Sequence, residues 1–282
     1  MLSNSIRHVV LPSGESVPQL GQGTWQMAEH RAKRADEIAA LRAGIDLGLT
    51  LIDTAEMYGE GAAEELVAEA VADRRDEVFL VSKVYPHNAS REGIVAACER
   101  SLKRLQTDRI DLYLLHWMGR HPLAETVAGF QALQAAGKIR HWGVSNLDTS
   151  DMQELWDEPG GQDVATNQVL YNLTRRAADW DLLPWQRERN IPLMAYSPVE
   201  QSKLISNTRL VRFARELGAT PAQVALAWLL VKDDVIVIPK AGSVAHVQEN
   251  AKARDLRLTT DQLAQLDKLF PGPSRRMSLE ML

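Results

Sequence analysis

The sequence predicts one parallel (β/α)8 barrel, an α/β domain spanning residues 1–282 with an N-terminal β-hairpin and an added C-terminal helix. Three observations predict it. Short apolar runs alternate with helical stretches along the chain, the pattern of a parallel sheet wrapped by helices. Three of these runs, in LIDTAEMYG, FLVSKVY and LYLLHW, close on a titratable residue, Asp53, Lys83 and His116. A buried parallel strand delivers such a group to its C-terminal end, where barrels gather their sites. Finally, GQGTWQ lacks the G-x-G-x-x-G spacing that a doubly wound nucleotide-binding sheet needs near its start.

The elements follow in order. HVVLP and ESVP flank the turn pair Ser13-Gly14 and read as a hairpin. QLGQGTW then leads to a helix near 36–47, TLIDTA to one near 63–71, VFLVSK to 91–105 and DLYLLHW to 123–136. In the second half RHWGVSN, DVATNQ, PLMAYSP and VIVIPK read as strands. Helices are expected near 149–156, 178–189, 207–217 with 221–231, and 243–253, and LTTDQLAQLDKLF supplies the added helix.

With 282 residues, 45% of them hydrophobic, the chain buries enough for one barrel domain. A net charge of −5 and a pI near 5.8 argue against nucleic acid as a partner. The lone Cys98 excludes a disulfide framework. His8, His87, His121, His141 and His246 lack metal-ligand spacing, so no metal is expected. The N-terminus carries no leader pattern and no run reaches 18 apolar residues, so the expectation is a cytoplasmic protein away from membranes; separately, a monomer is expected.

Asp53, Lys83 and His116 come from neighbouring strands and converge at one mouth, and Tyr58 follows Asp53 in a loop that folds back over it. A buried lysine needs a counter-charge, which Asp53 provides. Beside Lys83 the phenol of Tyr58 is expected to have its pKa lowered, making it a proton donor. Neutral His116 donates a second hydrogen bond to a carbonyl oxygen. The set contains no activated nucleophile, so a cofactor must supply one, and hydride is the natural choice.

The chain resembles the aldo-keto reductases over nearly its whole length, and within them the bacterial members that reduce methylglyoxal and similar small aldehydes. The resemblance rests on GxGTW at 21–25, DTAxxYG at 53–59, VSK at 81–83, LLHW at 114–117, GVSN at 143–146, NQ at 167–168, AYSP at 195–198 and IPKxxxxxxxxEN at 238–250, in that order and spacing. It implies Tyr58 as the acid, tuned by Asp53 and Lys83, with His116 orienting the carbonyl. It implies NADPH as cofactor. Ser145, Asn146 and Gln168 would hold its carboxamide and Tyr196 would stack on its ring, with Thr24 and Trp25 also in contact. Ser197 would lie near the pyrophosphate, Lys240, Ser243 and His246 around the 2′-phosphate, and Glu249 and Asn250 near adenine.

Trp25, Met57, Tyr85 and Trp117 would line the substrate pocket. The sequence departs from the family where His246 replaces an arginine, where Ala241 replaces a serine, and where 199–204 lacks a glycine. The ending at Leu282 suggests an open pocket for a small carbonyl substrate. Two other readings stand beside the reductase: a cofactor-binding regulatory or interaction subunit, and a cofactor-free lyase or isomerase on the same barrel.

Overall fold

Residues 7–282 are described by the computed structural model; the first six positions of the N-terminus, on which the no-leader expectation rests, lie outside them. β1 (His8–Val10) pairs antiparallel with β2 (Ser16–Pro18). Gly14 turns the hairpin at φ 87°, a left-handed conformation that glycine adopts without steric cost. Val9, Leu11 and Val17 point from it into the barrel's inner apolar cluster, so the hairpin plugs one end.

β3 (Gln22–Gly23), β4 (Leu51–Asp53), β5 (Phe79–Val84), β6 (Ile110–Leu115), β7 (Ile139–Ser145), β8 (Asn167–Leu170), β9 (Leu193–Tyr196) and β10 (Val235–Val237) form one eight-stranded sheet, parallel throughout and ordered as in the chain. Its first and last strands meet through parallel bridges Leu20↔Val237 and Gly23↔Lys240. The Gly23 N–H donates to Pro239 O at 3.0 Å, and a Cβ on Gly23 would lie 2.9 Å from Ile238 O, so the seam requires glycine.

Side-chain parity sorts each strand between two cores. Leu51, Phe79, Val81, Leu112, Leu114, Met194 and Ile236 fill the interior. Ile52, Leu80, Tyr113 and Leu115 face the helices. These are α1 (Arg34–Asp46), α2 (Ala62–Val71), α3 (Arg91–Leu105), α4 (Leu123–Ala135), α5 (Thr149–Asp157), α6 (Leu182–Glu188), α7 (Thr208–Glu216), α8 (Pro221–Leu230) and α9 (Val244–Lys252), followed by the added α10 (Thr260–Leu269). Local signals set their ends. Thr220 and Gln223 form a capping box before α8, with Pro221 at its first position.

α6 departs from expectation. A helix was expected from 178 to 189, but a 3-10 turn at Ala177–Asp179 stops and α6 restarts at Leu182. Pro184 is the reason, because it has no N–H to continue a helix begun upstream yet is tolerated in a first turn.

After α10 the chain returns over the C-terminal mouth. Arg276 Nε meets Asp181 Oδ2 at 3.0 Å, and Glu280 pairs with Arg175. Among the described residues no helix is long and apolar enough to cross a membrane, and no group of three or more His, Cys, Asp or Glu could hold a metal.

Candidate active site

Inward parity places the titratable residues. Asp53 follows Leu51 by two, Lys83 follows Val81 by two, and His116 follows Leu114 by two, so all three point into the barrel above its apolar filling. The His116 N–H extends the β6 ladder by donating to Val84 O at 3.0 Å.

Lys83 is fully buried and its Nζ donates to three acceptors: Asp53 Oδ2 at 2.8 Å, Thr54 O at 2.9 Å and the Tyr58 hydroxyl oxygen at 3.1 Å. An ammonium has three N–H donors, so this set satisfies it completely. Asp53 accepts a further bond on Oδ1 from Gln168 Nε2 at 2.7 Å. Burial pulls the Lys83 pKa below the usual lysine value and pushes that of Asp53 above the usual carboxylate value, each opposed by attraction to the other.

Tyr58 corrects the sequence reading. Its pKa is raised well above the phenol value, because burial of its hydroxyl and the nearby Asp53 carboxylate both disfavour the phenolate. The sequence showed the lysine nearby but not the depth at which the phenol sits. The hydroxyl is therefore fully protonated in the neutral range. Since Lys83 donates to its oxygen, the phenol's own hydrogen remains to be given elsewhere.

His116 is 8% exposed, and burial, aided by Lys83, lowers its pKa to about 2. The ring is neutral. It lies 5.9 Å from the Tyr58 ring, edge to face, and its Nδ1 is buried without a hydrogen-bond partner.

These groups open onto a cavity of about 400 Å³. Trp25, Met57 and Trp117 line it, as do Ser145, Asn146, Gln168, Tyr196, Ser197 and Lys240. Ser145 Oγ donates to Gln168 O at 2.7 Å, and Asn146, at φ 61°, donates to His116 O at 3.1 Å and accepts from the Tyr196 hydroxyl at 3.0 Å.

Other expected residues stand elsewhere. Thr24 is fully buried and its hydroxyl donates to Asp53 O at 3.0 Å, so it supports Asp53 from behind and does not face the cavity. Tyr85 lies outside the lining, its ring edge-on to Trp117 at 5.9 Å. Ser243 caps α9, its Oγ accepting from the His246 N–H at 3.4 Å. His246, Glu249 and Asn250 sit on α9, outside the cavity lining.

The open pocket expected from the tail is also corrected. Met281 and Leu282 line the cavity, and the Leu282 backbone meets the Tyr196 hydroxyl. The loop after β9 lacks a glycine and pays in backbone strain: Ser197, Glu200, Gln201 and Ser202 all take positive φ, from 48° to 74°. Buried Glu200 holds this loop, accepting from Asn172 Nδ2 and Arg175 Nε, both at 2.8 Å. Sequence reasoning missed this tether, the Gln168 bond to Asp53, and the buried carboxylates Glu56 and Glu64. An acidic residue in a loop or on an amphipathic helix normally reads as solvated.

Comparison with known proteins agrees with this geometry. A model of the aldo/keto reductase family matches residues 19–270. The chain is 52% identical over 272 residues to the methylglyoxal reductase YeaE of Escherichia coli K12, covering 95% of this chain and 96% of that one. It is 33% identical over 263 residues to the glyoxal reductase of Bacillus subtilis strain 168, covering 93% and 92%. A crystal structure of an aldo/keto reductase from Klebsiella pneumoniae in complex with NADP and acetate superposes with a TM-score of 0.96 at 50% identity, covering 99% and 100%.

Proposed function

The chain belongs to the aldo/keto reductase family, and from that membership we propose that it is an NADPH-dependent oxidoreductase reducing small aldehydes and α-dicarbonyls of the methylglyoxal kind to alcohols. The observation that carries this reading is the Lys83 ammonium, whose three donors are spent on Asp53, Thr54 and Tyr58. That arrangement leaves a protonated phenol facing a cavity with a neutral imidazole beside it. The relatives named for methylglyoxal and glyoxal reduction support the substrate class. The regulatory-subunit alternative is not favoured, since all four of Asp53, Tyr58, Lys83 and His116 are assembled.

The cavity fits a nicotinamide. Ser145, Asn146 and Gln168 offer the amide and hydroxyl groups that a carboxamide requires, and Gln168 keeps its side-chain oxygen as an acceptor while its Nε2 donates to Asp53. Tyr196 offers a ring face, and Ser197 would meet the pyrophosphate. Lys240 lines the cavity and, with Ser243 and His246, would hold the 2′-phosphate. Glu249 and Asn250 of α9 would meet the adenine in this reading.

When bound, NADPH supplies the hydride that reaches the carbonyl carbon. Tyr58 donates its proton to the carbonyl oxygen, a position where negative charge develops. Lys83 then steadies the phenolate, and Asp53 keeps Lys83 charged. His116 orients the oxygen as a neutral donor. Trp25, Met57 and Trp117 exclude water around the substrate. The proposal includes a monomer acting in the cytoplasm, checked by light scattering and cell fractionation. The activity is tested by NADPH absorbance loss with a panel of aldehydes and ketones that includes methylglyoxal. No turnover of any member would overturn it.

A further inference from the structure

Asp53 and Lys83 are set together by the sheet, since Asp53 pairs in register with Val81 two residues before Lys83. Tyr58 has no such help. It lies in the loop after β4, in a turn where Gly59 and Glu60 take φ of 56° and 55°. Something other than strand pairing must hold its hydroxyl at 3.1 Å from Lys83.

Glu56 ties that loop to the end of β5. Its backbone N–H donates to Lys83 O at 3.3 Å. Its side chain, in a residue only 8% exposed, turns the same way: Oε1 accepts from the Tyr85 N–H at 2.8 Å and from Asn88 Nδ2 at 3.1 Å. One residue therefore grips the chain at Lys83 and again two residues later, while standing two residues before Tyr58. Arg100 and Arg104 of α3 approach Oε2 at 3.7 and 4.0 Å and offset the cost of burying the charge. Arg104 is itself fixed, its Nε donating to Glu64 Oε2 at 2.6 Å. Gly61 leaves it room, because a Cβ there would come within 2.6 Å of the Arg104 side chain.

The grip extends to the other side of the cavity. The Tyr85 ring rests on Trp117, and Trp117 lies 4.9 Å from His116. We propose that Glu56 is a positioning residue for the Tyr58–Lys83 pair, clamping the loop after β4 to the exit of β5 so that the phenol stays within reach of the ammonium. This rests on the reading of Tyr58 as proton donor. Small displacements of such a donor are costly, as much as 10²-fold for about 1 Å.

The test is the steady-state kinetics of Glu56→Ala, Glu56→Asp and Glu56→Gln with NADPH and methylglyoxal, each alone and combined with Tyr58→Phe. Alanine lacks the acceptor and aspartate keeps the charge but falls short of the Tyr85 N–H, so both lower kcat by about tenfold or more with NADPH Kd unchanged. Glutamine still accepts from Tyr85 and restores kcat to within about threefold of the parent. Added to Tyr58→Phe, Glu56→Ala and Glu56→Asp cause no further loss, because they act through the missing hydroxyl. Parental kcat in both Glu56→Ala and Glu56→Asp overturns the proposal, and so does a loss of undiminished size in the Tyr58→Phe background. If Glu56→Ala does not fold, Glu56→Asp carries the same comparison. Near-parental turnover in Tyr58→Phe alone strikes the proton-donor reading instead, whatever the Glu56 variants do.

Discussion

Lys83 meets Tyr58 from below, its Nζ 3.1 Å from the phenol oxygen and 4.7 Å from the ring centroid. Tyr58→Phe keeps the ring and removes the donor, so turnover falls by at least about 10²-fold, the scale of general acid catalysis. Lys83→Met and Asp53→Asn also impair turnover, and their losses do not add to that of Tyr58→Phe, since the three act as one unit. Fluorescence titration separates this from binding: NADPH Kd stays near the parental value in Tyr58→Phe. Substantial turnover in that variant would sink the mechanism.

The pKa shifts make a second prediction. With His116 lowered to about 2 and Tyr58 raised well above the phenol value, neither titrates between about pH 6 and 9. The pH profile of kcat should therefore show no limb from either residue in that window. His116 also leaves a mark on stability. Unfolded, an imidazole takes up a proton below about pH 6.5, whereas the folded ring does not, so its contribution is complete above that pH and is lost on acidification. Chemical denaturation between about pH 6.5 and 4 should show the parent losing up to about 1.4 kcal/mol per pH unit more than His116→Gln. Parallel curves would mean that His116 is protonated in the fold.

Much of this was legible in the chain. A buried strand shows its parity in sequence, so Asp53, Lys83 and His116 could be placed on one inner face from their spacing to Leu51, Val81 and Leu114. Their chemistry was less so. Charge proximity can be read from strand order, but the desolvation that reverses the Tyr58 shift depends on side-chain depth. The Arg175 link to Glu200 and Glu280 was invisible for a different reason: it joins residues far apart in sequence, through a tail with no periodic pattern. The break before α6 was readable, because Pro184 stands in plain sight.

That link carries a third prediction. Arg175 bridges Glu200, in the strained loop after β9, and Glu280, beside the Met281 and Leu282 that line the cavity. Small carbonyls should be preferred because this closure limits the pocket. Glu280→Gln weakens the latch, so KM for small aldehydes rises several-fold while the kcat/KM of bulky ketones relative to them increases, as contacts that position a small substrate are lost. Unchanged selectivity across a graded ketone series would show that the tail does not bound the pocket.

The fourth prediction concerns cofactor choice. His246 stands exposed in the first turn of α9, after Lys240 and the Ser243 cap, where family members often carry arginine. An imidazole offers a charge-assisted contact to a phosphate only when protonated, a state that rising pH removes. If His246 contacts the 2′-phosphate, NADPH affinity should weaken from about pH 6.5 to 8 while NADH affinity stays level; the phosphate, with a second pKa near 6, is mostly dianionic over that range. His246→Arg keeps its charge throughout and presents a fork matched to phosphate oxygens, so it should tighten NADPH and flatten the dependence. Dissociation constants for both cofactors at several pH values decide the matter. NADPH and NADH curves that run parallel, or tighter binding of NADH throughout, would remove His246 from the cofactor site.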